Sequence, residues 1–350
     1  MINVGIIGLG KMGQQHMLNC LRMDDVKIVA AADPSEKALS KAKSAGVVRL
    51  YPDYHDLLSH PSNIDAVIIS LPNFLHSESV QLALEAGLNV FVEKPMANTV
   101  KECQEIVKSA EKSGRKCMPG HCMRFIDAIE EIKEAKNKGR IGDLEVVTIE
   151  MLLNGPFAHG LVPTPVPEWW FDPKIAGGGV LLDMGYHLID LYRFFVEENC
   201  KVQFSCLDHK LNLPIEDAAI LILQAGVSST KGIINTGWYQ KSIFPAFNFR
   251  AILHGNAGYL SSEDIAPSNV YLHAIKEGAK NLLRRVAGKK IKLLSYSYYY
   301  TQYYKELAHF FDCVENDSEL SVSANDGLKT IELIEEAYKL DALRERRQDE

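Results

Sequence analysis

Asp183 and His187 stand four residues apart in GGGVLLDMGYHLIDL, residues 177 to 191, where Leu181, Leu182, Leu188, Ile189 and Leu191 have the look of a buried helix. Residues i and i+4 share one face of an α-helix, a single turn apart. The spacing therefore sets a carboxylate beside an imidazole on a side that should be packing. Ionisable groups in such a place are either paired or put to use. A satisfied Asp–His pair inside a core and an acid–base pair turned toward a ligand both fit, and the spacing alone does not separate them.

The second group of interest lies at the ends of strands. VGIIGLGKMGQQH, residues 4 to 16, begins as a short apolar β run and becomes a helix, with Gly8-x-Gly10-x-x-Gly13 between them. That spacing lets a strand turn tightly, brings bare backbone against a pyrophosphate, and packs helix close to strand. A second apolar strand, VKIVAAAD, ends in Asp33, about twenty residues beyond the glycines, where a carboxylate takes the adenosine ribose hydroxyls. A 2′-phosphate would meet Asp33 as a like charge and no arginine follows it, so NAD is favoured over NADP. The residues set against the cofactor are then Gly8, Gly10, Lys11, Met12, Gly13, Asp33, Leu71, Pro72, Asn73, His76, Glu93 and Lys94. Taken singly, Lys94 reads as an exposed loop lysine and Asn73 as a turn former; their shared place at strand ends favours the cofactor reading.

These groups need a frame. Helices are expected over 35–45, 76–86 and 99–113, the last opened by the capping box Thr99-x-x-Glu102, with strands over 65–72 and 88–95. Strands alternating with helices give a doubly wound parallel sheet, and its ligands lie beyond the carboxyl ends of the strands. After a last strand and turn over 115–125 comes a helix over 127–138 with its own Asp127-x-x-Glu130 box. Strand-like runs then predominate: 144–153, 201–209, 217–225, 230–240 and 247–255. Their short connections predict a mostly antiparallel sheet, one face covered by the helix over 177–195 and the other an open subunit interface. The fold class is thus α/β, with a dinucleotide-binding domain over 1–122 and a substrate-binding and oligomerisation domain over 123–350. Helices over 298–315 and 324–343 close the chain and are expected to pack back on the first domain. The segment 154–179, with five prolines and Trp169 and Trp170, is a stiff loop, read as a lid over a polar ligand in preference to a packing clasp.

Composition narrows the classes further. The chain has 350 residues, 47% of them hydrophobic and 24% charged, in keeping with a soluble globular protein of two domains. No apolar run is long enough for a bilayer, and the strand-like start does not resemble a signal peptide, so a cytoplasmic location is expected. Seven scattered cysteines without a Cys-x-x-Cys pair are reduced thiols, neither a disulfide frame nor a zinc site. The net charge of −7 offers no general attraction to nucleic acid or an anionic membrane. The basic cluster from Lys280 to Lys292 reads as a solvated helix and turn.

Gly8-x-Gly10-x-x-Gly13-x-x-His16, Pro72-Asn73-x-x-His76, Glu93-Lys94-Pro95, Arg124-Phe125 and the Gly177-Gly178-Gly179 helix with Asp183-x-x-x-His187 together resemble the glucose-fructose oxidoreductase, inositol dehydrogenase and rhizopine-catabolism (Gfo/Idh/MocA) family. The closing YYKELAHFFDCVENDSELSVSANDGLKTIELIEEAY is similar to the family's end as well, so the resemblance is nearly whole-chain. It implies a Rossmann domain, an α/β domain whose open sheet forms a homodimer or homotetramer, and hydride transfer between NAD and a secondary alcohol of a sugar, cyclitol or nucleotide sugar. Under that resemblance His187 is the base, Asp183 holds the imidazole or a substrate hydroxyl, and Lys94 donates to the reacting oxygen. Lys94, partly desolvated, is expected to titrate below its usual range, with a cis Lys94–Pro95 bond turning the chain at the strand end. Arg124, Asn154, His159, Trp169, Trp170, Tyr186 and Tyr239 are candidate pocket residues for a polyhydroxylated substrate. A dinucleotide-binding sensor without turnover is the rival reading; half of a metal site at Asp183 and His187 is a weaker one, since no second ligand pair is present and no metal is expected.

Overall fold

The computed structural model describes residues 1–155, 158–159, 162–163, 166–238, 248–267, 270–288 and 301–348. A first sheet is built from β1 (Ile2–Ile7), β2 (Val26–Ala32), β3 (Arg49–Tyr51), β4 (Ala66–Ile69), β5 (Asn89–Val92) and β6 (Cys117–Pro119). All its pairings are parallel, in the order β3-β2-β1-β4-β5-β6. Every residue of β4 is buried, as expected of a strand covered on both faces. The covering helices are α1 (Lys11–Cys20), α2 (Glu36–Ser44), the short α3 (Tyr54–Ser59), α4 (His76–Glu85) and α5 (Val100–Ser113). The α5 capping box forms: Thr99 accepts from the Glu102 amide, and Glu102 returns the bond. The strand order reverses between β1 and β4, which opens a crevice at their carboxyl ends.

A one-turn 3₁₀ segment at Cys122–Phe125 leads to α6 (Asp127–Asn137) and β7 (Leu144–Leu152). The expected capping box at α6 does not form; its N-cap is Ile126 without a side-chain bond, and both Asp127 and Glu130 bind Lys305 instead. Two-residue strands β8 (Ala158–His159) and β9 (Val162–Pro163) pair in the proline-rich segment, followed by α7 (Pro173–Ala176) and α8 (Tyr186–Val196). A second sheet contains β7 with β10 (Cys200–Asp208), β11 (Ala218–Ala225), β12 (Lys231–Gly237), β13 (Asn248–Gly255) and β14 (Gly258–Ser261), in the order β10-β11-β12-β7-β13-β14. Only the β12–β7 pair is parallel, so the sheet is mixed and mostly antiparallel. Tyr192 of α8 lies over Gly232 of β12, where an added Cβ would stand 2.7 Å from its ring. The other face of this sheet leaves Phe204, Ile220, Ile222 and Ile233 exposed.

The chain closes with α9 (Val270–Val286), α10 (Thr301–Glu315) and α11 (Ala324–Gln348). α10 lies against α1, and α11 against both α5 and β10. Leu307, Phe310, Phe311 and Val322 share one buried cluster with Ile2, Val4, Ile6, Met17 and Cys20, so the last helices complete the core on one side of the first sheet. All seven cysteines are unbonded. Among the described residues no helix is long and apolar enough to cross a membrane.

Candidate active site

The glycines after β1 divide the labour expected of them. Gly8 has φ +86°, and a Cβ there would meet Ser70 O at 2.6 Å. A Cβ on Gly13 would stand 1.9 Å from Gly8 O, which explains why α1 can start so close to its strand, whereas Gly10 has nothing within 4 Å. Gly10 is the N-cap of α1 without a side-chain bond, so the amides of Lys11, Met12 and Gly13 open the helix onto free space. That cradle fits a diphosphate. Asp33, at the end of β2, accepts from the Leu9 amide at 2.6 Å and the Ser35 amide at 2.8 Å, fixing its carboxylate beside the same loop.

At the end of β5, Lys94 reaches Asp183: its Nζ donates to Asp183 Oδ1 at 2.5 Å and to the Asp183 carbonyl at 3.0 Å. The Lys94–Pro95 bond is cis. Burial pushes the Lys94 ammonium down, but the facing charges of Asp183 and Glu93 outweigh it and the group ends above its usual range. The shift is thus opposite to the one expected from desolvation alone, because the Asp183 carboxylate sits against the ammonium. Asp183 belongs to a π-helical turn, Leu181–Gly185, immediately before α8, so the simple one-turn stacking of an α-helix does not hold. Asp183 is bonded to Lys94, not to His187. His187, in the first turn of α8, is buried and makes no hydrogen bond among the described residues; its ring meets that of Tyr186 edge-on. Burial, then Lys94 and His121, push its imidazolium well below the usual histidine range, so the ring is neutral at pH 7.

Of the three glycines before this turn, Gly177 lies against Asn98, and Gly178 and Gly179 answer to Tyr338 and Glu216. Gly177 has φ +83°, and a Cβ on Gly178 or Gly179 would lie about 2 Å from Tyr338 Oη or Glu216 O. Glu216 Oε1 accepts from the Gly179 and Leu181 amides at 2.8 and 3.1 Å and from Tyr338 Oη at 2.7 Å. Neither residue carries a local signal; both stand far along the chain from the helix they hold.

Several expected ligand contacts are spent on the scaffold. The His76 ring nitrogens lie 2.8 Å from Pro95 O and 2.9 Å from Leu71 O, bracing the loops after β4 and β5. Asn73 Nδ2 donates to Ala176 O at 2.8 Å. Glu93 Oε1 accepts from His16 Nε2 at 2.6 Å, and its other oxygen accepts from the Lys94 amide. Leu71 and Pro72 stay half-buried at the strand end. Arg124 and Tyr186, expected at the pocket, are buried in an ion network instead. Tyr186 Oη and His121 Nε2 are 2.8 Å apart, His121 Nδ1 lies 2.6 Å from Asp190, and Arg124 grips Asp190 at 2.8 and 2.5 Å. Arg124 also reaches Asp326 of α11 at 3.2 Å. The pairing arises because the 3₁₀ segment Cys122–Phe125, α8 and α11 converge there, which the sequence does not announce.

The aromatic segment does bridge the two sheets. Trp169 meets Phe74 edge-on at 5.4 Å, and Trp170 stacks on Trp238 at 5.8 Å. Asn154 is half-buried at the end of β7. His159 is described in its backbone alone, in β8, and Tyr239 lies outside the described residues.

Residues 2–121 match the family described as "Oxidoreductase family, NAD-binding Rossmann fold" (GFO_IDH_MocA), and residues 129–261 match the "GFO/IDH/MocA C-terminal domain". A myo-inositol 2-dehydrogenase of Thermotoga maritima is 26% identical over 332 residues, covering 93% of this chain and 92% of its own. An inositol 2-dehydrogenase of Rhizobium meliloti is 25% identical, covering 97% and 96%. The scyllo-inositol dehydrogenase of Lactobacillus casei, solved with NAD(H) and scyllo-inositol, shares the fold at a TM-score of 0.77, with 19% identity and 98% of each chain covered. By its two matched domains and its cofactor cradle, the chain belongs to the Gfo/Idh/MocA family and is an NAD-dependent oxidoreductase.

Proposed function

We propose that the protein transfers a hydride between NAD and a secondary alcohol of a polyhydroxylated small molecule: a sugar, a cyclitol or a nucleotide sugar. The observation that carries this reading is the Lys94–Asp183 pair beside a neutral, buried His187 at the carboxyl end of β5. When bound, the nicotinamide accepts or returns the hydride, which carries both electrons of the C–H bond. His187 takes the hydroxyl proton on a ring nitrogen as the carbonyl forms. Lys94 donates a hydrogen bond to the same oxygen, and Asp183 keeps the ammonium charged and aimed. The named inositol dehydrogenases among the relatives support a cyclitol or sugar. On this reading the chain divides at 122/123, and the exposed Phe204, Ile220, Ile222 and Ile233 make the open sheet face the homodimer or homotetramer contact.

The test is a panel of inositols, free hexoses and UDP-sugars with NAD, followed by absorbance of NADH, with and without a chelator. Chelator-insensitive turnover of at least one polyol is expected. Tight NAD binding with no turnover across the panel would favour the sensor, and chelator-sensitive turnover a metal site. The NAD preference is tested separately by Asp33→Ala. Because Asp33 also holds the Leu9 amide, both cofactors should bind more weakly, while the ratio in favour of NAD narrows by about tenfold, the value of roughly 1.4 kcal/mol. A wild type that binds NADP more tightly in titration sinks the ribose argument.

A further inference from the structure

On a soluble domain a surface helix turns its apolar stripe inward. α9 does the opposite. Leu272, Ile275, Leu282, Leu283 and Val286 are 57 to 83% exposed, while Asn281 is buried. At 100° per residue, those five and Ala279 fall on one stripe roughly 100° wide, and Asn281 lies on the opposite side. Lys276 and Lys280 follow one edge of the stripe and Arg285 the other, all exposed. Glu277, the one acidic residue of the helix, turns to the inner side, where it meets Lys280 at 2.5 Å and Arg284 at 3.7 Å. The net charge of −7 conceals this arrangement, because residues 270–292 hold seven of the 38 lysines and arginines and only one of the 45 acidic residues.

We propose that α9 is an interfacial helix that seats the protein on an anionic lipid surface, its aliphatic stripe among the acyl chains and Lys276, Lys280 and Arg285 on the headgroup phosphates. The pairing of large aliphatic residues with basic edges on one exposed face is the chemistry such a surface binds. A second copy of the helix, packed on the first about a two-fold axis, would set these basic edges against each other. A bilayer meets both halves of the face at once. At 17 residues with four basic side chains, α9 lies on a membrane and does not cross it.

The full-length protein should co-float with vesicles of phosphatidylcholine and phosphatidylglycerol, bind vesicles of phosphatidylcholine alone at least tenfold less, and detach as salt is raised. The double substitution Leu282→Asp and Leu283→Asp should reduce flotation at least tenfold. Lys276→Glu with Lys280→Glu should remove the preference for the anionic lipid. Both variants change exposed positions, and unaltered melting and NADH binding show that the fold is kept. Equal binding to neutral and anionic vesicles would overturn the proposal. So would absence of flotation, whether or not light scattering shows the Leu282/Leu283 variant losing oligomer mass; loss of mass would identify the stripe as a contact between copies.

Discussion

Two buried polar clusters flank the Lys94–Asp183 pair, and they differ in how completely their charges are answered. On the α8 side, Asp190 faces Arg124 and His121, and Arg124 faces Asp326 in turn. Although burial opposes its charge, Arg124 first and then His121 hold the Asp190 carboxyl far below the usual range. On the α1 side, Glu93 takes His16, but Glu306 of α10, fully buried, has neither oxygen bonded among the described residues. His16 Nδ1, Asn19 Nδ2 and Gln302 Oε1 are without partners in the same sense, whereas on the α8 side His121 Nδ1 alone lacks hydrogen-bond geometry and still lies 2.6 Å from Asp190. Burial first, and then the charge on Glu93, push the Glu306 carboxyl well above its ordinary range, so it is held as a neutral acid. A complete network fixes geometry, and an incomplete one leaves a group whose protonation can respond to its neighbours. The first ties helices from distant parts of the chain; the second sits behind the residue before Lys94.

The largest expected effect breaks the complete network. Arg124→Met leaves the buried Asp190 without its closest cation, with only His121 and the more distant Arg193 beside it, and should cost about 3–5 kcal/mol of stability in a denaturant titration. A loss below about 1 kcal/mol would mean that the network is not holding the helices.

At the site between the clusters, His187→Asn should keep NADH binding and lower turnover by about a hundredfold or more. Near-native turnover would move the base elsewhere. In the wild type, an imidazole depressed below its usual 6.5 stays neutral until the pH falls well under that value. Its contribution to stability is full above the unfolded value and is lost as pH falls toward the folded one. Lys94→Met removes a cation that helps depress it, so the His187 titration followed by NMR should move up; an unchanged midpoint would show that Lys94 does not act on it. Lys94→Arg should fail almost as badly as Lys94→Ala in single-turnover hydride transfer, since a guanidinium is wider than the place that an ammonium fills against Asp183.

The smallest effect sharpens the incomplete cluster. An acid with a raised folded value contributes full stability below its unfolded value, 4.5, and loses it as pH rises. Glu306→Gln should therefore match the wild type near pH 4 and exceed it by about 1 kcal/mol at pH 8. Equal melting curves at both pH values would show that Glu306 carries no such penalty.

Local signals carried much of the first sheet. The glycine spacing, the acidic residue that ends the second strand and the α5 capping box are patterns within short stretches of sequence, and so can be read directly from the chain. The π-turn, the partner of Asp183 and the clamp on the glycines depend on residues 89, 37 and 122 positions away. The α6 box was misleading for the same reason: Lys305, 178 residues from Asp127, competes for its carboxylates. Arg124 and Tyr186 looked like pocket residues because polar side chains near a site have two possible fates, and only packing decides between them.

The last helices also bear on how the chain is made. Part of the hydrophobic cover over β1 and β2 comes from Leu307, Phe310, Phe311 and Val322, which leave the ribosome long after the strands they protect. During synthesis the nascent first sheet must wait with Ile6, Met17 and their neighbours uncovered until the final helices emerge, the interval in which a growing polypeptide is most open to chaperones and to aggregation.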